Sequence, residues 1–239
     1  MTGSAYKDYF DLQLRFAARH AELSGAPFSV AVARCTNLRR RFGLWGAAGD
    51  AKWAAFLAQV PSCTRHADLL RIAVAAYDCA PWRAPSPYGC FTYDPPDAKG
   101  TLRLHFMPHE RHRHTSPLAA GNLPERRDEL RALFTEVRRI HPEVRQVQGL
   151  SWLYHLQAYK RLFPHAYIAS LTVPAQPLHM DGSSIWGQVL DYRARLKPGI
   201  ADIVLVRLDE STMNTPWLAF PLQPLAAVCS ADFFFDLLR

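Results

Sequence analysis

A run of prolines divides this chain into two unlike stretches. Pro81, Pro85, Pro87, Pro95 and Pro96 all fall between Ala80 and Gly100. Proline has no backbone N–H and a fixed φ, so neither a long helix nor a central strand can run through such a segment. Before it, apolar residues recur at helical spacing. After Gly100, short alternating runs are separated by helical ones. The pattern predicts an α/β fold, with α+β left open. A sheet would lie in residues 86–239, and a helical segment, residues 1–85, would pack on it to give one compact domain.

Within the first stretch, Tyr6, Phe10, Leu14 and Ala17 mark one helix, stopped by Gly25-Ala26-Pro27. A second is expected from Ser29 to Arg41, closed by Gly43. Asp50 and Thr64 are the expected caps of a third and a fourth. In the second stretch the expected strands are Gly89–Tyr93, Thr101–Phe106, Val144–Gly149 and Tyr167–Val173. The expected helices are Pro124–Ile140, Trp152–Leu162 and Asp181–Leu196, each starting at a polar cap or an early proline. Residues 200–208 fit strand or helix, and the apolar tail, 218–238, reads as packed. On the 124–140 helix, Arg126, Arg127, Glu129, Arg131, Glu136, Arg138 and Arg139 form the expected solvated face.

Composition narrows the class of protein. With 49% hydrophobic residues the chain can build a core. No apolar run reaches the roughly 18 residues of a membrane span, so no membrane association is expected. The residues after Met1 lack a signal-peptide pattern. Five cysteines, Cys35, Cys63, Cys79, Cys90 and Cys229, are odd in number and contain no C-x-x-C pair. They read as reduced thiols of a cytoplasmic protein. The net charge of +7 is spread along helices, with one tight run at Arg39-Arg40-Arg41. It is compatible with an anionic partner. Nucleic acid is disfavoured, because no basic-aromatic recognition motif is present.

Four segments carry candidate chemistry. The loop with His105, His109, Glu110, His112 and His114 is rich in metal-ligand types, but Arg111 and Arg113 interrupt it, and no metal is expected. Its plainer reading is an exposed basic loop. Gly149-Leu-Ser151-Trp152-Leu153 approaches the G-x-S-x-G nucleophile elbow but has Leu where the turn needs Gly. Ser151 as a helix cap and Trp152 as a core residue explain it more simply. In His179-Met-Asp181-Gly182-Ser183-Ser184, an expected helix start offers N–H groups and hydroxyls to an anion. His179 and Asp181 there can move a proton. Plain capping by Asp181 or Ser183 is the competing reading. Finally, Arg40-Arg41-Phe-Gly43-Leu-Trp45-Gly46 has two features of a pyrophosphate loop but precedes any expected strand, so it reads as a helix C-terminus.

The order Leu102-Arg-Leu-His105-Phe-Met-Pro108, arginine-rich helix Pro124–Ile140, short strand, Ser151-Trp-Leu153 and Phe163-Pro164 resembles part of the GNAT-like acyltransferases, over about residues 102–173. Through Gly149-Leu-Ser-Trp-Leu-Tyr154, Arg161-Leu-Phe-Pro164 and Gly182-Ser-Ser-Ile-Trp-Gly187, the chain as a whole is similar to uncharacterised bacterial proteins. The acyltransferase resemblance implies a mixed sheet splayed to admit a pantetheine arm, and acyl transfer from coenzyme A or an acyl-coenzyme A to a small acceptor. His179, Asp181 or His105 would be the base, and Gly182, Ser183, Ser184, Ser151 and Trp152 ligand contacts. The recognisable pyrophosphate loop of that family is missing. The alternative is a non-catalytic binding or regulatory module with a basic surface for an anionic partner.

Overall fold

The structure is a computed structural model that describes residues 6–63, 65–80, 85–108 and 114–236. In chain order its elements are α1 (Lys7–Ser24), α2 (Phe28–Cys35), α3 (Leu38–Arg41), α4 (Gly46–Gln59), α5 (His66–Asp78), β1 (Phe91–Asp94), β2 (Thr101–Phe106) and α6 (Leu123–Ile140). Then follow β3 (Gln146–Ser151), α7 (Gln157–Lys160), α8 (His165–Ala169), α9 (Ser183–Trp186), α10 (Ile200–Arg207), β4 (Leu225–Ser230) and α11 (Asp232–Phe235). The fold is mixed α/β, as the alternating pattern predicts. No described helix is long and apolar enough to cross a membrane.

The chain forms two compact units: Met1–Arg83 with Ala175–Gln223, and Ala84–Pro174 with Pro224–Arg239. The stretch 175–223, expected in the sheet-bearing part after residue 85, thus belongs with the N-terminal helices. The reason is its apolar side chains: Met180, Ile185, Trp186, Val189, Val204, Leu208, Trp217 and Phe220 join the core built by α1, α2 and α5. Phe10, Phe16, Leu14 and Trp186 are fully enclosed in that core.

Local chemistry explains where the helices of this unit stop. Gly25, with φ 68°, closes α1 in the left-handed conformation that favours glycine. The single helix expected over 29–41 breaks at Thr36, which is extended. There the buried Gln13 side chain accepts the Asn37 N–H at 2.8 Å, and Thr36 Oγ1 donates back to the Val32 carbonyl at 2.7 Å. Side-chain partners have replaced the next helical bond. Asp50 does not cap α4, which begins four residues earlier after Trp45; Asp50 pairs with Arg39 instead. Thr64 lies outside the described residues.

The second unit carries a four-stranded sheet in the order β1-β2-β3-β4. β1 and β2 form an antiparallel hairpin, β2 and β3 are parallel with α6 as the crossover, and β3 and β4 are antiparallel. Leu102, Val147, Leu133, Phe134 and Val137 lie in its core, where Phe134 stacks on Phe234 at 4.4 Å. The solvated face expected on α6 is only partly solvated, since Arg126 is fully buried and Glu129 nearly so. Arg126 Nη2 lies 2.9 Å from the Glu129 carboxylate and 2.7 Å from Glu125, so opposed charges enter the interior together.

Other expectations for this unit are corrected. Tyr167–Val173 is not a strand: α8 occupies its first half, and only Thr172 bridges to Ala226. The edge beside β3 is taken by β4, from the tail. The helix expected over 152–162 is broken at Leu156, which is extended. In the helical unit, the helix expected over 181–196 shrinks to α9 and a 3-10 turn, Gly187–Val189. Burial of Ile185, Trp186 and Val189 drives that compaction.

All five cysteines are unbridged; Cys35 and Cys90 are buried, Cys63 and Cys229 half-buried, and Cys79 exposed. Burial pushes the Cys35 thiol up to about 12 and that of Cys229 up to about 11. The thiolate is the reactive species. At about pH 8, iodoacetamide is therefore expected to label Cys79 first and to spare Cys35, Cys90 and Cys229, with the differences lost in denaturant. Peptide mass spectrometry over a time course reads this. Labelling of Cys35 as fast as Cys79 would contradict the buried placement.

Candidate functional site

The parallel pair at the centre of the sheet is only partly joined. β2 and β3 are in register from Thr101–Gln146 through Leu102–Val147 to Arg103–Gln148. Both strands then continue, Leu104 to Phe106 and Gly149 to Ser151, beyond the paired stretch. Over the same length each keeps its antiparallel neighbour: Phe106 pairs with Phe91, and Ser151 with Leu225. Beyond Arg103–Gln148 the inner edges are therefore not paired with each other, at the C-terminal ends of the parallel strands, where ligands commonly bind in open α/β sheets.

Residues at these strand ends come from both faces of the sheet. On one, Phe106 meets Phe91 and Tyr159, each at 5.2 Å between ring centres, and Tyr159 meets Tyr154 at 5.2 Å. Beneath them the Tyr154 and Tyr167 hydroxyls share a buried hydrogen bond of 2.7 Å. Burial drives both phenols up, Tyr154 and Tyr167 alike, so they act as neutral hydrogen-bonding groups and not as bases. On the other face, His105 Nε2 lies 2.9 Å from Asp94 Oδ2. Register pairs His105 with Thr92, so this is a diagonal contact across the hairpin. A carboxylate holding one imidazole nitrogen fixes the orientation of the ring.

Gly149 is required by space. An added Cβ would fall 2.3 Å from the hydroxyls of both Tyr154 and Tyr167. Gly149→Ala is expected to cost about 1–3 kcal/mol by overpacking. Adding Tyr154→Phe should restore part of the loss, read by urea unfolding. A neutral Gly149→Ala would mean that the phenol pair does not press on β3.

The sequence candidates fall on both units. His105, Ser151 and Trp152 are on the sheet unit; His179, Asp181, Gly182, Ser183 and Ser184 are on the helical one. His105 and Ser151 sit at the same end of the parallel pair. Ser151 Oγ accepts the Leu153 N–H at 3.1 Å, the capping role expected for it. Trp152 is half-buried and does not belong to the core. His179 and Asp181 are exposed, and Gly182 and Ser184 half-buried. α9 spans four residues, too short to focus a helix dipole on an anion. The Asp181 carbonyl accepts Arg40 Nε at 3.1 Å, and the Arg40 guanidinium covers Trp45 at 4.8 Å. Gly43, with φ 67°, ends α3 as expected. Of the histidine-rich loop, 109–113 lies outside the described residues. Asp94, Tyr154 and Tyr167 were missed; the hairpin register is the signal that would have brought Asp94 to His105.

No family model, no curated relative and no solved structure matches this chain.

Proposed function

We propose that this protein transfers an acyl group from a coenzyme A-type thioester to a small amine or hydroxyl acceptor in the cytoplasm. The observation that carries the reading is the parting of β2 from β3 after Arg103–Gln148. Strand edges that leave a ladder need new partners for their N–H and C=O groups. The amides of a pantetheine arm suit that need, lying as a short strand between Leu104–Phe106 and Gly149–Ser151. The resemblance of Leu102–Pro108 and Ser151–Leu153 to GNAT-like acyltransferases supports the same core.

His105, oriented by Asp94, takes the acceptor proton as the acceptor attacks the thioester carbonyl. Backbone N–H groups at the opening polarise that carbonyl. The acyl–sulfur bond breaks, the new acyl–nitrogen or acyl–oxygen bond forms, and the departing thiolate recovers the proton from His105. His179 and Asp181 are the competing base, and Gly182, Ser183 and Ser184, next in sequence, the competing ligand contacts. A second reading, a non-catalytic module for an anionic partner, is favoured by the arginines exposed on α6.

A thermal-shift titration with coenzyme A and acetyl-coenzyme A, against ATP and a short DNA duplex, separates the two. A ligand at one hundred times its Kd stabilises by about 2.7 kcal/mol. Acyl transfer predicts a larger shift with the coenzymes than with ATP or DNA, and His105→Ala that keeps the shift but loses turnover. Equal shifts with all anions favour the second reading, and no shift overturns both.

A further inference from the structure

Three arginines of the sheet unit gather around one small recess. Arg127 and Arg131 stand one turn apart on α6, and Arg161 follows α7. Between them is an opening of about 200 Å³, floored by Leu130, Leu162 and Phe163. The floor is buried while the three guanidinium-bearing residues are exposed. Arg127 Nη2 donates to the Arg161 carbonyl at 3.3 Å, and Arg161 Nη2 donates to the Leu118 carbonyl at 3.0 Å. These bonds hold both side chains in place but neutralise nothing. Among the described residues no carboxylate pairs with Arg127 or Arg161. Asp128 offsets Arg131, with Nη1 to Oδ1 at 2.9 Å, while the nearby Glu125 and Glu129 are engaged with Arg126.

We propose that this recess is a binding site for a phosphorylated ligand, with Arg127, Arg131 and Arg161 gripping a phosphate or diphosphate group. Like charges held at one opening repel unless a counter-charge sits among them. Among the described residues, Arg127 and Arg161 leave a positive excess that matches a phosphate dianion better than a single carboxylate. Guanidinium forks also fit the paired oxygens of a phosphate. The apolar floor gives room for the part of the ligand that carries the phosphate. The inference does not rest on acyl transfer, and a protein with no transferase activity would keep this site.

Isothermal titration of the full chain at low salt with inorganic pyrophosphate is the test, with acetate as the carboxylate control. Saturable binding of pyrophosphate and none of acetate is expected. Arg127→Gln and Arg161→Gln should each weaken binding about tenfold or more. Arg138→Gln, whose guanidinium lies on Phe235 at 5.5 Å on the same helix, should leave binding unchanged. Arg127→Lys keeps the charge but loses the fork, and should fall between wild type and Arg127→Gln. Thermal midpoints without ligand confirm that each variant folds; Arg127→Gln carries the test if Arg161→Gln does not. Absence of saturation at millimolar pyrophosphate overturns the site. So does acetate binding as tightly, or Arg138→Gln weakening binding as much as Arg127→Gln.

Discussion

Replacing Trp186 with alanine is expected to cost the helical unit about 3–5 kcal/mol, enough to unfold many proteins of ordinary stability. The indole is fully buried and meets three rings: Phe220 at 4.9 Å, Phe16 at 5.4 Å and Tyr9 at 6.1 Å. Its Nε1 donates to the Cys35 carbonyl at 3.0 Å, at the end of α2. Alanine leaves a large cavity and an unpaired carbonyl together. Trp186→Phe isolates the second term and is expected to lose about 1–3 kcal/mol. Urea unfolding followed by far-UV circular dichroism measures both. A loss below about 1 kcal/mol for Trp186→Ala would place the indole outside the core.

The sheet unit is expected to be as sensitive at Arg126. Its guanidinium faces the carboxylates of Glu125 and Glu129, and Nη1 donates to Cys90 Sγ at 2.7 Å. Glu129 in turn accepts the Cys90 N–H at 3.1 Å. Gly89 precedes it with φ 59°, and its missing Cβ would collide with the Glu129 carboxylate. The cluster fastens the start of β1 to α6. Removing one partner strands a buried charge, so Arg126→Met is expected to cost about 3–5 kcal/mol. Removing both charges is far less harmful. The double variant Arg126→Met with Glu129→Gln retains an acceptor for Cys90 and should recover a large part of the loss. Additive losses in that cycle would show that the two side chains do not interact.

Elements with a strong local period could be read from the sequence. α1 closes at the expected Gly25, β2 spans the expected Thr101–Phe106, and α6 differs from expectation by one residue at its start. What failed was decided by partners distant in sequence. Gln13, by taking the Asn37 N–H, breaks the helix at Thr36, and Trp186 curtails the one expected after Asp181. Leu225-Ala-Ala-Val-Cys-Ser230 has too little alternation to announce an edge strand, yet it pairs with β3 throughout. Charge misled in one place, since Arg126 reads as solvated until its two glutamates are seen beside it. At the candidate site, His105 was visible as a residue type on a strand. A splayed sheet was implied only by the acyltransferase resemblance, and where β2 and β3 stop pairing was not legible, because register belongs to two segments far apart in sequence and no local pattern encodes it.

The division of the chain bears on how it is made. Each unit is assembled from two stretches, and the stretches alternate: helices first, then most of the sheet, then the remainder of the helical core, then β4. During synthesis α1 to α5 leave the ribosome without Trp186 or Phe220, and β3 leaves with its outer edge uncovered until β4 arrives. Neither core closes in the order it is translated, so the nascent chain carries two unfinished apolar surfaces for most of its length. Such surfaces invite chaperones and aggregation alike. Deleting β4 would therefore damage the sheet out of proportion to the six residues it removes.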